Sequence, residues 1–146
     1  MKKWISTGFL LLTGCAHFSQ WKYFEPVNEP TNVQSLVYVY HDCSKGKIEG
    51  QGITVAIDQN DKAYMPKGSY FATYLNVGKT LLTSTFTEKK YHFQFNTKPA
   101  QTVYLKLQSN DDESVTTKQI PHQIAKKEIK NCRLAKSGYY TSTDAS

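Results

Sequence analysis

The chain has 146 residues and a formal net charge of +6, a length that suits one domain and excludes a multidomain architecture. Its basic residues are scattered, with small groups at Lys45/Lys47, Lys89/Lys90 and Lys126/Lys127/Lys130. So modest and dispersed a charge is first of all a solvated surface, and at its sharpest an affinity for anionic lipid or glycan.

The first element is Met1-Lys2-Lys3, a short positive segment, followed by the uncharged apolar run Trp4–Leu12. That run is about nine residues long, against roughly twenty for a bilayer-spanning helix, so it can engage an export machinery but cannot stay as an anchor. It ends in Leu12-Thr13-Gly14-Cys15, a tetrapeptide that resembles the lipobox of bacterial lipoproteins. The resemblance implies that residues 1–14 are a signal peptide, that Cys15 takes a diacylglycerol, and that its new amino group is acylated, with palmitate the expected chain. Two or three chains, at roughly 0.8 kcal/mol per buried CH₂, amount to a permanent anchor. Ala16 stands where an inner-membrane retention signal would place aspartate, which implies an outer-membrane anchor facing the periplasm. Nucleic acid is not an expected partner in that compartment.

With Cys15 lipidated, Cys43 and Cys132 remain. An even pair in an oxidising compartment favours a disulfide. It would close a loop of about 90 residues and contribute on the order of 4 kcal/mol. Two buried free thiols or a metal pair are the alternatives.

Residues 15–35 carry Pro26 and Pro30 and follow neither a helical nor a strand period. They read as a lipidated tether; some twenty flexible residues have a reach of roughly 25 Å. Trp21, Tyr23 and Phe24 are unusual for a tether, and would dock on the domain or sit in the headgroup layer.

From Leu36 onward short strands follow one another. Leu36–His41 is rich in β-branched and aromatic residues. Ile53–Ile57 alternates, and Asp58-Gln59-Asn60-Asp61 supplies turn chemistry. Lys62–Met65 is a short strand, Pro66-Lys67-Gly68 a turn, and Ser69–Leu75 the next strand. Thr80–Thr87, Tyr91–Asn96 and Thr102–Gln108 complete the series. Tyr91, Phe93 and Phe95 share one face of their strand, and Val103, Leu105 and Leu107 share one face of theirs. One buried and one wet face per strand marks an antiparallel sheet. The expected fold is mainly β: an antiparallel β-sandwich of about seven short strands over residues 36–136. Pro121 can open one short C-terminal helix, Gln123–Asn131, with Ile124, Ile129 and Leu134 near one stripe. Residues 137–146 read as a disordered polar tail.

The segments Val37-Tyr38-Val39-Tyr40, Ile53-Thr54-Val55-Ala56-Ile57-Asp58, Met65-Pro66-Lys67-Gly68-Ser69-Tyr70-Phe71 and Val77-Gly78-Lys79 together resemble a domain-of-unknown-function family of bacterial lipoproteins (DUF2846). The resemblance spans about Leu36 to Leu134. His41, Val77 and Thr80 depart from the family's arginine, proline and histidine. What it implies is a prealbumin-like sandwich and an envelope address, with no catalytic residues to carry over.

Sharper motifs fall short. Gly78-Lys79-Thr80 looks like the end of a phosphate loop, but Thr73 stands where its first glycine belongs. Asp58, Asn60 and Asp61 lack the glycine and distal glutamate of a calcium loop. Asp111-Asp112-Glu113 is a charged loop tip. None of His17, His41, His92 and His122 has metal-ligand spacing, so no metal or cofactor is expected. His41 and His92 could meet across strands on an outer face.

Ten tyrosines are many for this length. Tyr38, Tyr40, Tyr70, Tyr74 and Tyr104 cannot all be buried if strict alternation holds. They form a candidate binding face, since each joins an apolar ring to a polar hydroxyl. The plainer meaning is that tyrosine is a good strand residue. The functional expectation is a non-enzymatic binding or assembly module in the periplasm, its partner another envelope protein or peptidoglycan. The alternative is a periplasmic hydrolase-like enzyme using His41, His92 or Cys43.

Overall fold

Alternation of apolar and polar residues carries through into strands throughout the computed structural model, which describes residues 21–135. The signal peptide, Cys15 and the 137–146 tail lie outside those residues. The strands are β1 (Gln34–His41), β2 (Glu49–Ile57), β3 (Asn60–Lys67), β4 (Ser69–Asn76), β5 (Gly78–Phe86) and β6 (Lys89–Thr97). After them come β7 (Thr102–Ser109), β8 (Val115–Ile120), the helix α1 (His122–Ile129) and the two-residue β9 (Arg133–Leu134). A five-stranded sheet, ordered β8-β7-β1-β4-β9, faces a four-stranded sheet, ordered β3-β2-β5-β6. The fold is thus the β-sandwich that alternation implies.

Several details correct the sequence reading. The described residues form nine strands where about seven were expected, because β8 and β9 carry too few apolar residues to announce themselves. Two pairings, β1 with β7 and β4 with β9, are parallel. Pro66 continues β3 instead of turning; β3 is a sheet edge, where a missing N–H is tolerated. The turn is left to Gly68, whose φ of 91° brings β3 round into β4 of the other sheet. A side chain at Gly68 would also run into the Lys47 carbonyl oxygen. Asp58-Gln59 and Thr87-Glu88 make two-residue hairpin turns with positive φ at both positions (48° and 69°, 49° and 68°), as the twist of the flanking strands requires. The Asp58 carboxylate accepts the Leu81 N–H at 2.9 Å, which completes its turn role.

Between the sheets lies the main core, with Val37, Val39, Ile53, Val55, Phe71 and Leu105 among its members. Tyr91 and Phe93 are partly buried against it, and their neighbours His92 and Gln94 are exposed, as alternation predicts. At one end His41 is fully buried and joins the sheets. Its Nδ1–H donates to the Met65 carbonyl at 2.8 Å, and its Nε2 lies 3.2 Å from the Ser109 hydroxyl, which donates to it. A carbonyl can only accept, so this pairing fixes the neutral ring with its proton on Nδ1. Burial, with the Lys67 charge adding to it, holds the imidazole below its ordinary pKa.

A second core lies on the far side of the five-stranded sheet, built on Leu36, Tyr38, Tyr40, Tyr70 and Tyr104. β1 is therefore buried on both faces, as its nearly unbroken apolar sequence allows. Two elements cover this face. One is α1, which lays Ala125 and Ile129 on the sheet; Ile124, expected on the buried stripe, is 53% exposed instead. The helix C-terminus is fastened by the Cys43–Cys132 disulfide, whose Cα atoms are 5.1 Å apart. The other is the segment from Trp21 to Pro30, here called the strap. Over its described residues the stretch expected to be a flexible tether is packed on the domain. Phe24 N–H donates to the Cys132 carbonyl at 3.0 Å, and Leu134 N–H to the Lys22 carbonyl at 2.7 Å. Phe24 meets the rings of Tyr38 and Tyr70 edge-on at 5.7 and 5.0 Å.

Candidate functional site

The five tyrosines singled out in the sequence do lie on one side of one sheet, but four of them are not wet. Tyr38, Tyr40, Tyr70 and Tyr104 are buried, and only Tyr74 is exposed, at 41%. The physical reason is that α1 and the strap close over them. Their hydroxyls serve that closure. Tyr70 and Tyr38 accept the backbone N–H groups of Glu25 and Val27 at 3.3 and 3.1 Å, and Tyr74 donates to the Asn28 carbonyl at 2.7 Å. Three polar handles thus satisfy a chain segment that has no strand partner over that stretch.

Tyr40 serves the helix instead. Its hydroxyl donates to Glu128 at 2.6 Å, and the Lys106 ammonium donates to the other carboxylate oxygen at 3.1 Å. Burial works against the Glu128 charge, but these two hydrogen bonds and the Lys106 charge outweigh it, so the carboxyl titrates below its usual range. Burial, then the hydrogen bond to Glu128, drives the Tyr40 phenol upward. The cluster holds an ionised acid between two donors, which is a structural arrangement.

Tyr104 remains. Its hydroxyl has no hydrogen-bond partner among the described residues, while its ring stacks on Tyr38 at 5.2 Å with 12° between planes. These two rings and Leu36 floor a groove of about 510 Å³ that runs between the two covering elements. The strap forms one wall through Phe24, Pro26, Val27 and Glu29; α1, through His122 and Lys126, and Lys130 just past its last residue form the other. His122 meets the Tyr104 ring edge-on at 5.3 Å. Burial raises the phenols of Tyr38 and Tyr104, so both stay protonated. The volume lies within the roughly 300–1,000 Å³ usual for small-molecule sites, as does the character of an apolar cleft with a few polar groups. Sequence reading finds the floor through Tyr38 and Tyr104 and names Phe24 and the Lys126/Lys130 group on the walls, but it does not bring them together, since tether and helix are read apart from the sheet.

The other candidate residues are not brought together. His41 faces the space between the sheets, whereas His92 lies on the outer face of the four-stranded sheet, bonded to the Thr83 hydroxyl at 3.1 Å. They belong to different sheets and cannot meet across strands. Cys43 is held in the disulfide. Asp112 caps its own loop by accepting from the Ser114 N–H at 3.0 Å and from the Ser114 hydroxyl at 2.5 Å. Among the described residues no group of three His, Cys, Asp or Glu is placed to hold a metal ion. Lys126 and Lys130 line the groove, while the Lys45/Lys47 pair answers Glu49. No family model matches the chain, and no curated protein is significantly similar to it.

Proposed function

We propose that the chain is a lipid-anchored envelope protein, acylated at Cys15 on the periplasmic face of the outer membrane, whose DUF2846-like domain binds another envelope component and transforms none. The address is supported by the order of positive segment, short apolar run and lipobox-like Leu12–Cys15. The binding reading is carried by one observation: a groove whose floor is tyrosine and leucine, walled by two separate elements, with the Tyr104 hydroxyl in it unpaired among the described residues. Its partner is a periplasm-facing protein, peptidoglycan or lipid.

Metabolic labelling with palmitate tests the address. Label is expected on the wild-type chain and not on Cys15→Ala; an unlabelled wild-type chain would end the lipoprotein reading. A photo-cross-linking residue at Val27, on the groove wall, tests the binding. A discrete adduct from living cells is expected there and not from the same residue at Thr83, on the opposite sheet. Equal adducts at both positions, or none at Val27, would refute it.

A further inference from the structure

The two walls of the groove differ in charge, and that difference selects a ligand. On the helix wall His122, Lys126 and Lys130 follow at intervals of four, so they form one stripe roughly 12 Å long. The strap wall is apolar through Phe24, Pro26 and Val27, with Glu29 beyond them. The floor is apolar as well, apart from the Tyr104 hydroxyl and the Thr102 side chain at its edge.

Resting on the binding-module reading, we propose that the groove takes a single-chain anionic amphiphile, its acyl chain along Leu36, Tyr38 and Phe24 and its carboxylate or phosphate head at Lys126 and Lys130. An inorganic anion would leave the apolar floor and strap wall uncovered. A neutral lipid could answer the Tyr104 hydroxyl but would leave two ammonium groups without an opposite charge. Glu29 repels an anionic head from the strap side and so sets the ligand's direction. A trough of about 510 Å³ has room for one chain rather than for a two-chain lipid. Free fatty acid and lysophospholipid share this chemistry.

The test uses the full chain in its own membrane, with a palmitic acid analogue carrying a diazirine near the chain end. Mass spectrometry of the cross-linked protein is expected to place the probe on β1 around Leu36–Tyr38 or on β7 around Tyr104. Unlabelled palmitate and lysophosphatidylglycerol are expected to compete, identifying the two sources by their relative strength, while glycerol monopalmitate competes about ten-fold less, as loss of one good charge contact predicts. Lys126→Glu/Lys130→Glu is expected to lower labelling about ten-fold. Both side chains are exposed, so this variant keeps the fold. Glu29→Gln is expected to raise it roughly two-fold. Labelling spread evenly over the protein, equal competition by the neutral lipid, or indifference to the charge reversal would each overturn the proposal. If the adduct at Val27 persists while the fatty probe misses the groove, the binding reading stands and this ligand class is wrong; if both fail, the groove is no site.

Discussion

The outer faces of the two sheets begin from the same alternating pattern and end differently. On the five-stranded sheet the outward positions are Leu36, Tyr38, Tyr40, Tyr70 and Tyr104, and a helix and a strap lie over them. On the four-stranded sheet they include Thr54, Ala56, Thr83, Thr85 and His92, and no described element packs over them. Threonines and histidine can face water without loss; a row of aromatic rings cannot. Large outward side chains thus call for a covering layer, and their hydroxyls supply the polar contacts that fix it in place. A sheet face may be recruited as a second core without disturbing strand alternation.

That contrast can be broken by substitution, and the covered face should be the expensive one to damage. Replacing Cys43 and Cys132 together by alanine is expected to cost about 4–5 kcal/mol, given the 89-residue separation they close. Urea unfolding reads it, and a loss near zero would mean that the helix holds itself on the sheet. Phe24→Ala removes the strap's contact with Tyr38 and Tyr70 and is expected to cost about 3 kcal/mol. Hydrogen exchange at Val27 and Glu25 should rise with it; protection unchanged there would mean the strap is not seated by this ring. Tyr40→Phe leaves Glu128 one donor short and is expected to cost about 2 kcal/mol.

The inter-sheet histidine gives a smaller, pH-dependent effect. The folded-state pKa of His41 lies below its unfolded value of 6.5, so the unfolded chain binds the extra proton first. Stability from this group is complete above that value and falls as pH drops through it. The urea midpoint should therefore decline between pH 7.5 and 5.5, and a flat profile would contradict a buried neutral ring. Thr83→Ala, on the bare face, should change stability by no more than about 0.5 kcal/mol. A larger loss would show that this face is covered after all.

How much was legible follows from the range of the signal. Ile53–Ile57 and Tyr91–Asn96 declare themselves because alternation is local and each strand has one apolar side. β8 does not, since Val115 is its only buried residue. The parallel β1–β7 pairing joins residues more than sixty positions apart, and no periodicity within either strand reports it. The strap was half legible: its aromatic residues hinted at docking, but most of its polar contacts use its own backbone, whose hydrogen bonds carry no side-chain pattern. The five tyrosines do share one face, but alternation says only which way a side chain points and not what lies above it, and only Tyr38 and Tyr104 line the groove. The groove needed all three parts, and the sequence marked residues of each without showing that they meet.

The strap also sets a stand-off distance. Since Trp21 already packs against the main core, only residues 16–20 separate it from Cys15. Whatever their conformation, those residues can span roughly 20 Å at most. Were Cys15 acylated, Trp21 and the edge of the domain it packs on would lie within that distance of the headgroups. Under that condition, partners in or on the same membrane would be within its reach, and a distant layer of the envelope would have to come to it.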